Sequence, residues 1–427
     1  MTTTDPIVDA RVTEGSDQAL VARAAALLHA NGESTGVTLD AVDRLNRALA
    51  TDFQLVPTWT SISVLDQGRD PLTVVAPPEG VAMRAVAIAM RAIDKIGEKN
   101  SNRSELAAEL DRASKAGQSP LWLFVLACAT GTAALSTIFG ADDATAVLLI
   151  AFSGALGGLI RRLLGKAHIG SIGQVFAAAF LAGIIGGIAV NADLSTSLRL
   201  IAVCPAMILV PGPHILNGLL DLFALRISLG FARLGYAAVL VLSIGAGLAL
   251  ALAVFGTDLP VEPAGRTIPL WLDVVAAAVA AASYPIYFAI PYRLIVWPIA
   301  VGAIAHGLRT WVMNDLGWNV AVGATVACLV VGIVLAPVSH RLHIPFAAVS
   351  FAAVVALIPG VYLFRAIDTL GELQFGGTES SLLGAISDGT TAALIVAGMA
   401  VGLALPKYLY QQIVSHRSSH TGRRQHD

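Results

Sequence analysis

Two patterns of apolar residues divide the chain. Up to residue 119 they recur at amphipathic spacing among charged side chains, and from Pro120 to Leu405 they come in runs long enough to cross a bilayer. In the first region Leu20, Ala24, Leu27 and Leu28 fall on one face of a helix over 19–30. After the turn NGEST, Val42, Leu45 and Leu49 are spaced for burial in a helix over 39–49. The run 54–65, with LVPTWTSISVL at its core, changes to β-branched and aromatic residues and predicts a strand. Beyond the turn DQGRD, 72–75 can return as its hairpin partner. Helices over 81–96 and 101–116 complete a small soluble α+β domain, residues 1–119.

A membrane helix needs about 20 apolar residues. That rule predicts spans at 120–139, 144–160, 171–190, 200–219, 234–255, 271–290, 294–308, 319–338, 345–364 and 382–405. The expected fold is therefore a polytopic all-α membrane protein with ten transmembrane helices behind the α+β domain. The spans divide into five-helix repeats at 120–260 and 261–405, with a cytoplasmic tail at 406–427. Lys and Arg orient it. Arg161, Arg162, Lys166, Arg226, Arg233, Arg293 and Arg341 fall in loops on one side, together with Lys407, Arg417, Arg423 and Arg424 of the tail. Arg199, Arg266 and Arg309 fall on the other, among Asp142, Asp143, Asp193, Asp258, Glu262, Asp315 and Glu372. Both termini are expected in the cytoplasm, and an odd number of spans per half makes the halves an inverted repeat.

Two of these runs are interrupted. CPAMILVPGPHILNGLLD (204–221) carries a Pro-Gly-Pro, and VVALIPGVYLFRAID (354–368) carries a second Pro-Gly. With Pro211 laid on Pro359, Gly212 falls on Gly360, His214 on Tyr362 and Asn217 on Arg365. Interruptions at corresponding positions of two halves point to a transport site near the midplane, because irregular backbone at membrane depth persists only where it is buried or lines a cavity. Proline frees a backbone carbonyl, and the helix restarting near Pro213 is expected to offer free N–H groups and a positive dipole end to a carboxylate. His214, Asn217 and Asp221 share a face of that helix, as do Tyr362 and Arg365 of its counterpart, with Asp368 a turn later. Pro211, Gly212, His214, Asn217, Asp221, Pro359, Gly360, Tyr362 and Arg365 are the candidate substrate-binding residues, and Asp221 and Asp368 the candidates for ion coupling. His306 and Asp388 are secondary candidates, whereas Asp273, Tyr284 and Trp297 read as interface or packing residues.

Composition narrows the picture. The 427 residues have a mean hydropathy of +0.73 and only 13% charged side chains, too apolar for a soluble protein of this length. Of the 56 Asp, Glu, Lys and Arg, 28 precede Pro120, which sets the first region apart. A net charge of -2 without a basic block gives no sign of nucleic-acid binding. Cys128, Cys204 and Cys328 lie in apolar runs without metal-ligand spacing, so neither metal nor disulfide is expected, and no cofactor motif is present. The first residues carry no secretion signal pattern. His29 has no nucleophile beside it, and Ser34 and Thr35 read as turn and cap residues, so the first region is expected to regulate or assemble. GALGGLI (154–160) and AGIIGGIA (182–189) read as close helix packing.

The order of motifs resembles the threonine/serine exporter family: HANGEST, LDAVDRLNRAL and LVPTWTSISV, then LVPGPHILNGLLDL, then ALIPGVYLFRAIDTL, over about 19–405. The resemblance implies gradient-driven export of small hydroxy amino acids, with a lipid bilayer and a small-molecule substrate as partners and a homo-oligomer possible. It also implies that Pro211, Gly212, Asn217, Asp221, Pro359 and Gly360 form the family-like core, and it implies no catalytic residue. The leading expectation is a secondary transporter of threonine and serine working by alternating access. A dicarboxylate exporter, a passive channel lined by the breaks and a membrane-tethered enzyme or sensor are the rivals.

Overall fold

The computed structural model describes residues 16–68, 70–98, 100–141, 143–192, 194, 198–256, 268–342, 344, 346–372 and 378–423. Helix α1 (Asp17–Ala30) starts under Ser16, whose side chain accepts from the Ala19 amide. Val21, Ala22, Ala25 and Leu28 are all inaccessible, so α1 is the centre of the N-terminal unit rather than an amphipathic cover. Helix α2 (Thr35–Leu49) begins four residues earlier than its apolar spacing suggested. The expected single strand is two. Pro57 cannot donate to a ladder, and Thr58 turns the chain by bonding Ser61 through both its amide (2.8 Å) and its hydroxyl (3.1 Å). Strands β1 (Gln54–Pro57), β2 (Ser61–Leu65) and β3 (Leu72–Val75) form an antiparallel sheet in that order. Helices α3 (Met83–Gly97) and α4 (Arg103–Ser114) follow.

The remainder is helical. Helices α5 (Leu121–Ile138), α6 (Ala144–Lys166) and α7 (Ser171–Asn191) precede the bent pair α8 (Leu198–Met207) and α9 (Gly212–Phe223), and α10 (Ile227–Phe255) follows. Then come α11 (Leu270–Tyr287), α12 (Val296–Asn314), α13 (Val320–Leu342), the bent pair α14 (Phe346–Val354) and α15 (Gly360–Glu372), and α16 (Glu379–Arg423). Among the described residues eight helices are long and apolar enough to cross a membrane, or up to ten if each bent pair is one span. The pairs bend by 55° and 70°. The chain is a multi-pass α-helical membrane protein. Helix α16 runs through Pro406, where a tail was expected.

Packing partners recur. Helix α7 lies on α10 as α13 lies on α16, α5 on α6 as α11 on α12, and α9 on α10 as α15 on α16. The halves meet through α5 on α11 and crosswise, α9 on α14 and α8 on α15. Small residues permit this closeness, as their spacing suggested: a Cβ on Gly158 would stand 2.7 Å from Cys128 Sγ of α5, and one on Gly247 would stand 2.5 Å from the Phe176 carbonyl of α7.

The N-terminal unit is seated on one end of this bundle. The Met83 amide donates to the Phe288 carbonyl (3.1 Å), Ser119 Oγ to the Ile286 carbonyl (2.5 Å) and Asn217 Nδ2 to the Gly32 carbonyl (3.0 Å). Lys407 Nζ donates to Ser34 Oγ (3.5 Å), and Arg84 lies over the Tyr292 ring. Arg162 of α6 donates to the Ser119 carbonyl (3.2 Å) and Arg233 of α10 to Thr35 Oγ1 (3.4 Å), so the C-terminal ends of α6, α9 and α11 share an end with the starts of α5 and α10.

Candidate substrate pathway at two interrupted helices

Each interruption is a tight turn built the same way. At the first, the Gly212 amide bonds the Val210 carbonyl at 2.9 Å, and the amides of His214 and Ile215 bond the Pro211 carbonyl at 3.1 and 3.2 Å. At the second, the Gly360 amide bonds the Ile358 carbonyl at 2.9 Å and the Leu363 amide bonds the Pro359 carbonyl at 3.0 Å. Proline fixes φ and the next residue folds back, so these N–H groups are satisfied inside the turn. The expectation of open N–H groups there is thus corrected for Gly212, His214, Ile215, Gly360 and Leu363. Both glycines are buried, and each meets the helix that leads into the other break. A Cβ on Gly212 would overlap the Phe351 ring of α14, and one on Gly360 would stand 2.6 Å from Met207 Cγ of α8.

Beyond the first break, α9 turns its polar face toward the N-terminal unit. His214 packs edge-on against Tyr236 of α10 with ring centroids 5.1 Å apart, and Trp59 of the β1–β2 turn packs on the same ring, also at 5.1 Å. Asn217 is held by Gly32. Asp221, 1% exposed, accepts from Thr35 Oγ1 at 3.0 Å and stands 3.0 Å from Arg233 Nε, although that N–H is not aligned for a hydrogen bond. Arg226 reaches the other carboxylate oxygen at 3.4 Å. Arg233, wholly buried, also donates through Nη2 to Thr35 Oγ1 and to His29 Nδ1, each at 3.4 Å. Glu33 and Lys407 complete a buried group of both signs. Burial pushes the Glu33 carboxyl up from its ordinary range against the pull of Lys407. His29 is lowered to about 4, by burial first and the charge of Arg233 second, and is neutral at pH 7.

The second break is fastened differently. Arg365 makes a two-point pair with Asp388 of α16, Nε to Oδ2 at 2.5 Å and Nη2 to Oδ1, with its guanidinium 5.8 Å from the Tyr362 ring centre. Near it, Asp273 of α11 accepts from Thr310 and lies 3.0 Å from His306 Nδ1, all inside the helices. Among the described residues no group of His, Cys, Asp and Glu could hold a metal.

Two family models divide the chain. The threonine/serine exporter model ThrE matches residues 19–255, and a second model, described as Threonine/Serine exporter, ThrE, matches residues 273–409. The chain belongs to the threonine/serine exporter family. It is an amino-acid exporter at the level of that family, with a small-molecule substrate and membrane lipid as partners. No solved structure matches the exporter.

Of the residues predicted for the site, Pro211, Gly212, Pro359 and Gly360 make the paired turns, and His214, Asn217 and Asp221 face the N-terminal unit. Tyr362 and Arg365 lie on α15 near Asp388. Asp368 is on α15, and its side chain lies outside the described residues. Six arginines assigned to loops are in helices: Arg161 and Arg162 in α6, Arg199 in α8, Arg233 in α10, Arg309 in α12 and Arg341 in α13. Each sits just outside the apolar window that had defined its span. Asp273, read as an interface or packing residue, is 3% exposed and pairs with His306. Ser34 stands at the N-cap of α2 without a side-chain capping bond, and Thr35 spends its hydroxyl on Asp221. The acid and hydroxyls of NGEST, unusual in a turn that caps nothing, were the available signal.

Proposed function

We propose that the exporter is a secondary transporter that carries threonine, serine or a similar small amino acid outward across the cytoplasmic membrane by alternating access. Two oppositely inserted five-span halves rock about the paired breaks, with both termini inside. The observation that carries this reading is the reciprocal seating of the breaks, Gly212 under Phe351 and Gly360 under Met207, which puts both irregular turns at one crossing between halves. Opposite insertion is supported by the N-terminal unit's contacts. They touch the starts of α5 and α10 and the ends of α9, α11 and the span in α16, so the first half leaves from the end to which the second returns. Coupling by a proton gradient has a structural candidate in the buried Asp273–His306 pair as well as in Asp221.

Counterflow in proteoliposomes tests the reading. Vesicles holding the full chain and unlabelled threonine should take up labelled threonine transiently above equilibrium, with saturation. Absence of counterflow with threonine, serine and small relatives overturns transport, and non-saturating entry without counterflow makes the protein a pore. Cysteines at Lys166 and Glu379, both exposed, should label from opposite sides of the membrane; labelling from one side overturns the inverted arrangement.

A further inference from the structure

Arg161 lies where α6 passes the first break. The cavity between these elements is walled by Cys128 of α5, by Gly154 and Gly157 of α6, and by Pro205 and Leu209 of the break, with Arg161 and Tyr287 at one end. Arg161 Nε and Nη1 are buried and have no hydrogen-bond partner. Among the described residues no carboxylate pairs with the guanidinium, and the Tyr287 ring centre lies 5.2 Å from Cζ. A buried cation with two unmet donors is costly. A planar guanidinium with two adjacent N–H groups matches a carboxylate edge-on.

In this conformation the cavity holds about 10 Å³, room for about one water, so an amino acid enters it only when the break residues that wall it move apart. Helical side chains lean toward the helix N-terminus, so Arg161 reaches back about one turn, to the level of Gly157. There the wall has no side chain: a Cβ on Gly157 would find its nearest neighbour, the Ala178 methyl, only at 3.7 Å. Further along the same cavity Ser153 Oγ is a second buried polar atom without a partner. The cavity thus offers a carboxylate-shaped cation at one end, a hydroxyl farther in and a wall partly made of break residues, whose movement would open or close it.

Arg309 sharpens the assignment. It stands 148 positions after Arg161, the interval that also separates Pro359 from Pro211, and it too has a buried Nε without a hydrogen bond. Asp273 lies close enough to act on its charge. Of these corresponding arginines, Arg309 has a carboxylic acid in its surroundings, whereas among the described residues none acts on Arg161.

We infer that Arg161 is the residue that binds the carboxylate of the transported amino acid, in the cavity beside the first break. The inference rests on the transport reading above and names the group that selects an α-carboxylate. The test is competition for counterflow in proteoliposomes of the full chain, comparing threonine with threoninamide, which keeps size and ammonium and loses the acid. In the native protein threonine should compete at least about tenfold better. In Arg161→Gln that preference should collapse to within about twofold, and Arg161→Lys should keep part of it. An Arg161→Gln protein that transports and still prefers threonine tenfold overturns the assignment while leaving transport standing; a native protein with no counterflow overturns transport itself. If Arg161→Gln does not fold, Gly157→Leu decides. It fills the cavity without touching the charge and should cut counterflow at least about tenfold; undiminished counterflow overturns the site.

Discussion

The two interrupted helices are built alike and fastened unlike. Both breaks close on a Pro-Gly turn whose amides are satisfied within two to four residues, and each glycine lies against the helix entering the other break. Beyond the turn they part. Asp221 of α9 is held from the start of α2, 186 residues away in sequence, through Thr35, and by the fully buried Arg233. Arg365 of α15 is held by Asp388, only 23 residues on, where both side chains keep about a tenth of their exposure. A transporter that works by rocking must release one fastening while the other holds. The difference implies that one release is an undocking of the N-terminal unit and the other a local exchange of an ion pair with water. Burial decides which is harder, since an unpaired charge costs more where water cannot reach it.

The largest effect is therefore expected at Asp221. Asp221→Asn keeps the shape and can still accept from Thr35, but it leaves Arg233 buried beside Arg226 with no carboxylate in contact, Glu33 acting on it only from farther away. A loss of about 3–5 kcal/mol follows for removing one partner of a buried pair, read as a large fall in Tm of the purified protein. Arg233→Met in the same chain should restore most of it, because two neutral groups replace two charges. If Asp221→Asn alone shifts Tm no more than an exposed substitution does, the first fastening is not electrostatic and the comparison breaks.

Acid should loosen the first fastening. His29, lowered to about 4, has an ordinary value near 6.5 in the unfolded chain. Between these the unfolded form binds the extra proton, so this contribution is complete above pH 6.5 and drains away as pH falls toward 4, by about 3 kcal/mol in all. Glu33 works in the opposite direction, its raised carboxyl favouring the folded state as pH falls. The difference between the unfolding curves of the native protein and of His29→Phe isolates the histidine: relative to the variant, the native protein should lose about 3 kcal/mol as pH falls from 6.5 to 4. A constant separation rejects the buried, neutral His29.

What was legible in the sequence follows from which forces act locally. Apolar runs and Pro-Gly pairs report on bilayer crossing and helix interruption, and the ten expected spans each fall on a helix or bent pair. The same windows misled at their edges. Hydropathy ends a span at the first arginine, whereas a helix continues as long as packing satisfies it, so Arg161, Arg233 and Arg309 were read as loop charges. Thr35 and Asp221 carry no local signal of each other, since their contact is made by docking. Asp273 was missed for the same reason: its partners, His306 and Thr310, lie one helix away.

The two glycines separate a rigid contact from a yielding one. Gly212→Ala drives a methyl into the Phe351 ring, itself wedged between Tyr284 and Phe288 at 5.9 Å, so the neighbours cannot move aside. Overpacking of about 1–3 kcal/mol is expected, with counterflow strongly reduced and recovered by Phe351→Leu. Gly360→Ala meets Met207, a flexible side chain that can change rotamer, and should cost less than about 1 kcal/mol. Equal losses at the two positions remove the asymmetry.

Arg365→Lys is expected to act on the rate of exchange more than on stability. The charge stays, and Asp388 keeps a partner within reach of a long side chain, but an ammonium cannot repeat the two parallel N–H bonds of a guanidinium or lie as flat over Tyr362. Because both partners keep some contact with solvent, water can complete the shell of whichever oxygen is left, and the loss should be about 1 kcal/mol. The consequence for transport is then kinetic: a weaker fastening opens more easily, so labelled threonine should exchange faster while Tm hardly moves. Slower exchange with a Tm loss matching that of Asp221→Asn would mean that the second fastening is as buried and as structural as the first, and that the halves do not divide the work in this way.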